Sequence, residues 1–557
     1  MNAWLRVERR RVGLPPARSR VVESRLWIPA GDGVRLATRL LRPADASVRR
    51  GAVLVRSERP IGSGSPLEKL ARWLAGDGCS VVFQSCRGRD ASEGAFRPFA
   101  DELADGGAAL RWVVEQAEIE GPIVLLGLGY SAYTAWAAAA AEPARVAAIA
   151  TGFGARDPYA WLFPGGVLQL EAALALAARL DGREGVEPGV LDLARAARHR
   201  PLGECDRVAL RELSAFRAWQ LHPERDAWWE ERTPALADVP RALVVGGWYD
   251  CAFAASYADY EALSERAASR SGVPPSLLLG PWGAVPLPRE HRRRDTDPLA
   301  VVAKALSGFV AHAVGALAPR DGGTRVFVRG TGWREARPWP PVRSAWRTLY
   351  LRGGGCANAL DGDGRLDPEP PGQERADTFV ADPADPVPSQ GGAAWRGVSG
   401  PVDQRPVESR GDVLCYTGEP LSEALELAGR VKLSLHADAE AEGFDMSAKL
   451  VAVERDGAAR WLAEGIVRAT RDGVGVPLVI ELGAVGARLS SGTRLRLEVA
   501  GSSLPRFARR EVGDGGAREA PDLRTVHHDA ARPSALHFET AGDAGPAESA
   551  GASGDSE

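Results

Sequence analysis

The chain has 557 residues, 45% apolar and 25% charged, a globular composition too long for one hydrophobic core and suited to roughly three to four domains. A formal net charge of −4 with acids and bases interspersed provides no electrostatic footprint for nucleic acid or an anionic membrane. Six cysteines (Cys79, Cys86, Cys205, Cys251, Cys356 and Cys415), none in C-x-x-C spacing, argue against a disulfide framework and a zinc site, so reduced thiols, no metal and no cofactor are expected.

Residues 1–20 are cationic but lack a continuous apolar stretch, and no apolar run reaches membrane-spanning length. A soluble, unexported, cytoplasmic protein is the expectation. The short runs Arg9, Arg10, Arg11 and Arg292, Arg293, Arg294 are read as solvated surface. Residues 22–44 alternate apolar and polar around Gly31-Asp32-Gly33, which predicts a β-hairpin. Short apolar runs at 52–55, 80–83, 123–126 and 146–150 then lose the alternation and are separated by helical periods at 67–74, 101–116 and 131–141. Such strands belong to a parallel sheet covered on both faces.

The βα rhythm stops near Gly152. Residues 157–233 read as Ala- and Leu-rich helices carrying Trp161, Trp219, Trp228 and Trp229. A strand at 242–247, a helix at 255–268 and a last strand at 276–280 follow, so the helical segment is a cap inserted over the strand ends. Beyond residue 345, short strands at 346–351, 413–416, 431–436, 447–453, 461–469, 476–482 and 494–499 lie between Gly, Asp and Pro turns, the pattern of a jelly roll. Residues 541–557 are Gly-, Ala-, Ser- and Glu-rich and are expected to be a disordered tail.

Several motifs carry a family resemblance. The segment 123–136 runs from four branched apolar residues through Gly127-Leu128-Gly129-Tyr130-Ser131 into an Ala-rich helix, a strand–elbow–helix turn. Arg87-Gly88-Arg89-Asp90-Ala91-Ser92-Glu93-Gly94, Gly247-Trp248-Tyr249-Asp250, His222-Pro223 with Asp226 and Trp229, Gly280-Pro281-Trp282, and Asp382-Pro383-Ala384-Asp385-Pro386-Val387-Pro388 accompany it. Together they resemble the cocaine esterase and X-Pro dipeptidyl-peptidase family of serine hydrolases. The resemblance implies an α/β fold: an α/β-hydrolase core at 22–152 and 236–335, a helical cap at 153–235, and an all-β jelly roll at 345–540.

Acyl transfer by such a fold needs a nucleophile at the elbow, a base, an orienting acid and oxyanion donors. On the family's pattern the nucleophile position is Gly129, the histidine position is Ala284, and the side-chain oxyanion donor is replaced by Arg59. The acid is kept as Asp250, and the backbone donor falls on Tyr130. Ser131, two residues past the tip, is an alternative nucleophile; its simpler role is a small residue at a helix N-terminus. His291 is read as a surface-loop histidine and Cys251 as inert packing. Trp161, Trp248 and Trp282 are candidates to line an apolar pocket, and equally candidates for plain core.

These positions lead to an expected repurposed, non-hydrolytic enzyme in which Arg59 and the Tyr130 N–H polarise a carbonyl and Asp250 moves a proton during cyclisation, isomerisation or elimination. The alternatives are a non-catalytic protein that binds a ligand or partner, and an ester or amide hydrolase using Ser131. A small-molecule ligand or substrate is expected as partner, with no nucleic acid or membrane and with an oligomer left open.

Overall fold

Strands with both faces buried need a helical layer on each side, and the chain up to residue 336 supplies it in alternation. The structure is a computed structural model that describes residues 3–59, 64–182, 191–317, 323–336, 339–341, 344–358, 360–470, 476–510 and 520–541. After α1 (Ala3–Arg11), the hairpin β1 (Val21–Pro29) and β2 (Arg35–Pro43) enters the first sheet. It continues with β3 (Gly51–Ser57), α2 (Pro66–Gly76), β4 (Cys79–Ser85), α3 (Glu102–Glu115), β5 (Ile123–Leu128), α4 (Tyr130–Ala141) and β6 (Ala148–Gly152). Helices α5 (Pro158–Leu162), α6 (Leu170–Leu180), α7 (Leu193–Arg198), α8 (Cys205–Ala209), α9 (Ser214–Gln220) and α10 (Ala227–Glu230) then form a cap. The sheet resumes with β7 (Ala242–Tyr249), α11 (Phe253–Ser269), β8 (Ser276–Gly283), α12 (Pro298–Ala313), β9 (Thr324–Val328) and β10 (Gly332–Ala336).

The strand order is β1-β2-β4-β3-β5-β6-β7-β8-β9-β10. Pairing is parallel from β4 through β9, and antiparallel for β1 with β2, β2 with β4 and β9 with β10. Every residue of β3, β4, β6 and β7 is buried, which explains their unbroken apolar texture. Apolar side chains of α2 and α12 cover one face, and those of α3, α4 and α11 cover the other.

Two sequence expectations need correction here. The sheet does not end at β8, because α12, β9 and β10 extend it. Asp297 caps α12 by accepting the Leu299 and Ala300 N–H groups, and Pro298 opens its first turn. Within the basic N-terminal stretch, Arg9 is not solvated surface but only 2% exposed. Its guanidinium pairs with Asp77 and donates to the carbonyls of Pro15 and Trp73, whereas Arg10, Arg11, Arg292, Arg293 and Arg294 are exposed as expected.

The second sheet contains β11 (Ala345–Arg352), β12 (Arg365–Asp367), β13 (Asp377–Ala381), then after the short α13 (Arg405–Glu408) come β14 (Val413–Gly418), β15 (Leu425–Ala439), β16 (Gly443–Val453), β17 (Ala459–Thr470), β18 (Leu478–Leu489), β19 (Arg494–Ala500), β20 (Asp522–His527) and β21 (Ala535–Thr540). Strands run in the order β13-β20-β15-β21-β11-β12-β14-β19-β16-β17, with β18 paired to β15. Leu427, Val431, Leu433 and Leu435 of β15 point into its core with Leu450, Leu497 and Phe538. Strands β12, β13, β20 and β21 escaped the sequence reading.

The all-β unit is bonded to the rest of the chain at several places, two of which bear on the site. Arg329, just past β9, donates its N–H to Gly486 at 2.9 Å and accepts from Arg488 at 2.7 Å, joining the first sheet to β18. On the cap, Ala508 N–H donates to Leu168, Arg509 to the Ala197 and His199 carbonyls, and Trp395 N–H to the Glu171 carboxylate. Among the described residues, no helix is long and apolar enough to cross a membrane. The expected tail at 541–557 lies, apart from Ala541, outside the described residues.

Candidate active site

Strand β5 ends at Leu128 and α4 begins at Tyr130, so a single residue turns the chain. That residue is Gly129, held at φ 66° and ψ −131°, a conformation costly for side chains with a Cβ and one that recurs at functional turns. Gly127 makes the turn possible from below. A Cβ there would lie 1.8 Å from the Ser131 carbonyl oxygen, because the first turn of α4 sits directly on the strand end. A Cβ at Gly129, by contrast, would meet only Arg179 Nη1, at 4.0 Å. The elbow tip therefore faces open space with one guanidinium at its edge.

Tyr130 leads α4, and its N–H has no hydrogen-bond partner among the described residues. This is the free donor that a helix N-terminus aims outward. The phenol points the other way, receiving the Phe99 N–H at 2.9 Å and donating to Glu102 Oε1 at 3.1 Å. Glu102 is itself paired with buried Arg56 at 2.6 Å, so the elbow rests on a buried polar network. The side chain of Tyr130 is thus an anchor, and its main-chain N–H is the group left free.

Ser131 is 1% exposed and donates its hydroxyl to Glu58 Oε2 at 3.2 Å. Its side chain faces the end of β3, underneath the tip. Arg59 follows Glu58, with its side chain 44% exposed and its Nε 4.0 Å from Glu58 Oε1. Asp250 lies just past the end of β7 and accepts the Ala252 N–H at 2.9 Å. Burial pushes its carboxyl up to about 6, against the pull of that N–H and of the Arg179 charge. Burial likewise pushes the neighbouring Cys251 thiol up to about 12, which keeps it protonated and unreactive at neutral pH.

Two residues that the sequence reading passed over stand at this site. Arg179, from α6 of the cap, is half-buried beside the elbow, and its guanidinium lies 5.5 Å from the centre of the Trp395 ring. Burial and the Arg59 charge push it below its ordinary value, while Glu58, Cys251 and Asp250 oppose them. It remains a cation. Arg89, within the Arg87–Gly94 motif, is 9% exposed, stacks over Phe96 at 3.9 Å, and also feels the Glu58 charge. The only basic residue in an otherwise Ala- and Leu-rich helix, apart from a single glutamate its sole charge, was the available signal for Arg179.

The aromatic candidates separate. Trp161 sits in the cap core, and Gln169 Nε2 bonds both its carbonyl, at 2.6 Å, and that of Cys251, at 3.1 Å. Trp248 donates its indole N–H to Phe327 and packs against Gly486 of β18. It also borders, with Asp250, Cys251, Gln169 and Arg506, a cavity of about 370 Å³ between the end of β7, the cap and the second sheet. Trp282 packs in the α2 and α12 layer with its indole N–H on the Thr296 carbonyl, which places it in the core and away from the elbow. Ala284 is an exposed bend residue after β8. His291 borders a different cavity, with Arg329 and Trp461.

The remaining motif residues hold the scaffold. Arg87 bridges Asp32 and Asp105, and Ser92 ties β2 to the end of β4. In the cap, His222 Nδ1 lies 2.5 Å from Asp226 Oδ2, and Asp226 caps α10 through the Trp229 N–H. Among the described residues no cluster of His, Cys, Asp and Glu is arranged to hold a metal ion.

A doubly wound sheet, a glycine-tipped elbow under a helical cap and an appended jelly roll define an α/β-hydrolase with a C-terminal β domain. Comparison with known proteins makes the assignment specific: the chain belongs to the cocaine esterase and X-Pro dipeptidyl-peptidase family. Residues 32–285 match the X-Pro dipeptidyl-peptidase (S15 family) model, and residues 318–537 match that of the X-Pro dipeptidyl-peptidase C-terminal non-catalytic domain. The chain is 34% identical over 546 residues to the cocaine esterase of Rhodococcus sp. (strain MB1 Bresler), covering 88% of this chain and 92% of that protein. In fold it is similar to an aminopeptidase from a marine sediment Thaumarchaeota archaeon, with a TM-score of 0.76, 22% identity and coverage of 94% and 97% of the two chains. An α-amino acid ester hydrolase gives a TM-score of 0.75 at 21% identity, with the same coverage.

These relatives overturn the expectation of a non-hydrolytic enzyme, and with it that of a non-catalytic binding protein. They are esterases and peptidases, and none points to cyclisation, isomerisation, elimination or a purely binding role. The expectation had weighed the residues at the tip above the family, whereas the elbow's backbone and its donor are intact.

Proposed function

We propose that the chain hydrolyses a carboxylic ester or amide, with water rather than a side chain attacking the carbonyl carbon. The observation that carries this reading is the free Tyr130 N–H over a tip that Gly129 leaves open. An N–H group fixed at a helix start costs no reorganisation when negative charge develops on a carbonyl oxygen. With Gly129 at the nucleophile position and Ala284 at the histidine position, neither supplies a nucleophile or a base. Asp250 takes the proton from water as the new C–O bond forms, and its carboxylic acid returns that proton to the leaving alkoxide or amine as the bond to carbon breaks, which regenerates the carboxylate. A carboxyl held near pH 6 is ionised at neutral pH yet basic enough for this step.

The test is turnover of neutral p-nitrophenyl esters and aminoacyl p-nitroanilides by the wild type and by Asp250→Asn and Ser131→Ala variants, with a fluorophosphonate probe alongside. Hydrolysis is expected with no burst of product and no labelling. The Asp250→Asn variant should lose about 10²- to 10⁴-fold in kcat, and Ser131→Ala should change it little. Labelling of Ser131, or a product burst abolished by Ser131→Ala, would replace water with an acyl-enzyme route. Failure to hydrolyse any ester or amide would refute the reading.

A further inference from the structure

The charges around the elbow do not balance. Arg59, Arg89 and Arg179 all act on Glu58, and Asp250 is the other carboxylate that acts on Arg179. Three guanidinium groups thus face Glu58 and Asp250, while the third carboxylate that acts on Arg89, Asp181, is already paired with Arg211 at 2.8 Å. Neither Arg89 nor Arg179 makes an ion pair among the described residues, and the Arg89 Nε is buried without a hydrogen-bond partner. A guanidinium cannot discharge itself by losing a proton, and buried charges in folded proteins are ordinarily paired. Other buried arginines among the described residues follow that rule. Arg56 pairs with Glu102, Arg496 with Glu408 and Arg506 with Glu464, each at 2.6–2.8 Å. The exceptions lie on the loop after β4 and in the cap, with Arg179 beside the elbow tip.

We propose that Arg89 and Arg179, with Arg59 at the rim, form an anion subsite beside the elbow, so that the compound acted on carries a carboxylate in addition to its scissile ester or amide. This rests on the hydrolytic reading of the same site. Arg179 is the determinant most directly placed, since its Nη1 lies 4.0 Å from where a Cβ on Gly129 would stand. A planar guanidinium offers two parallel N–H donors to a carboxylate, which a lysine ammonium cannot reproduce.

Two measurements on the full chain test the subsite and the reaction separately. The first is calorimetric binding of hexanoate against hexanamide, which share their shape and differ in charge. The wild type should bind hexanoate at least about tenfold more tightly, Arg179→Gln should abolish the difference, and Arg179→Lys should keep part of it. The second compares kcat/KM for the p-nitrophenyl ester of hexanoic acid with that for the mono-p-nitrophenyl ester of adipic acid. A preference for the charged ester, lost in Arg179→Gln, supports the subsite. Equal affinity for hexanoate and hexanamide, binding of neither, or a preference unchanged in Arg179→Gln overturns it. Selective hexanoate binding without turnover of either ester would sustain the subsite and refute hydrolysis. Good turnover of the neutral ester without carboxylate preference would do the reverse.

Discussion

Replacing Asp250 with asparagine should raise stability while it removes activity. The carboxyl is held at about 6 in place of its ordinary 3.8, so keeping it ionised at pH 7 costs the folded state about 3 kcal/mol. Asparagine is neutral and can still accept the Ala252 N–H that now reaches Oδ1 at 2.9 Å. Part of the gain is returned because Arg179 loses a nearby negative charge, which leaves a net stabilisation of about 1–3 kcal/mol at pH 7. The pH dependence has a definite sign. Between pH 3.8 and about 6 the folded state holds a proton that the unfolded chain has released, so wild-type stability rises as pH falls through that window. The gap between variant and wild type should therefore close as pH is lowered from 7 toward 4, as followed by the midpoint of thermal unfolding. Turnover runs in the opposite sense, since the base must be ionised, and kcat should fall about tenfold per pH unit below about 6. A variant less stable than wild type at pH 7, or a wild-type rate flat from pH 5 to 7.5, would refute both the buried carboxylate and its role.

Other consequences concern the supports. Met in place of Arg56 leaves Glu102 buried without its cation and Asp105 with Arg87 alone, and should cost about 3–5 kcal/mol by denaturant unfolding; a loss below about 1 kcal/mol would mean that the network under the elbow is slack. Gly127→Ala drives a methyl into the Ser131 carbonyl, so a fall of about 3 kcal/mol or more is expected, and an unchanged unfolding midpoint would show that the elbow yields. In the second sheet His528 is fully buried, with Nε2 2.7 Å from Asp377 Oδ2 and Nδ1 3.4 Å from Glu374 Oε2. Burial lowers its pKa, but the two carboxylates outweigh burial and leave it raised. Its contribution is therefore complete below about pH 6.5 and is lost as pH rises through the higher folded value. His528→Leu should remove that pH dependence and cost about 3–5 kcal/mol at pH 6. Parallel pH profiles for variant and wild type would count against it.

The elbow was legible because three constraints coincide in 123–136: a strand buried on both faces, glycines where backbone packs on backbone, and small residues where α4 leans on the sheet. The strands β9 and β10 were not, because each is short and studded with Arg, Trp or Glu, which gives neither an unbroken apolar run nor clean alternation. At the site, Asp250 and Arg59 could be placed from their neighbours in sequence, since each lies just past a strand end. Arg179 stands out in sequence only as the lone basic residue of α6, because its meaning depends on how a helix inserted after β6 folds back over the tip, a tertiary fact. The error over the chemistry had the same root. The expectations at Gly129 and Ala284 concern side chains, whereas a donor such as the Tyr130 N–H belongs to the backbone and does not show in residue identity.

The bonds from the all-β unit to the cap bear on how molecules come and go. Leu168, Glu171, Ala197 and His199 sit near the start of α6 and the end of α7, and each is held by a partner from Trp395, Ala508 or Arg509. A cap joined only to the core sheet could swing on its two connections and admit substrates of many shapes. This one is strapped down on its far side, so opening it means breaking contacts with a separate β unit. Any displacement of the cap is therefore coupled to the β unit through Trp395, Ala508 and Arg509, so that access to the tip answers to residues outside the catalytic fold.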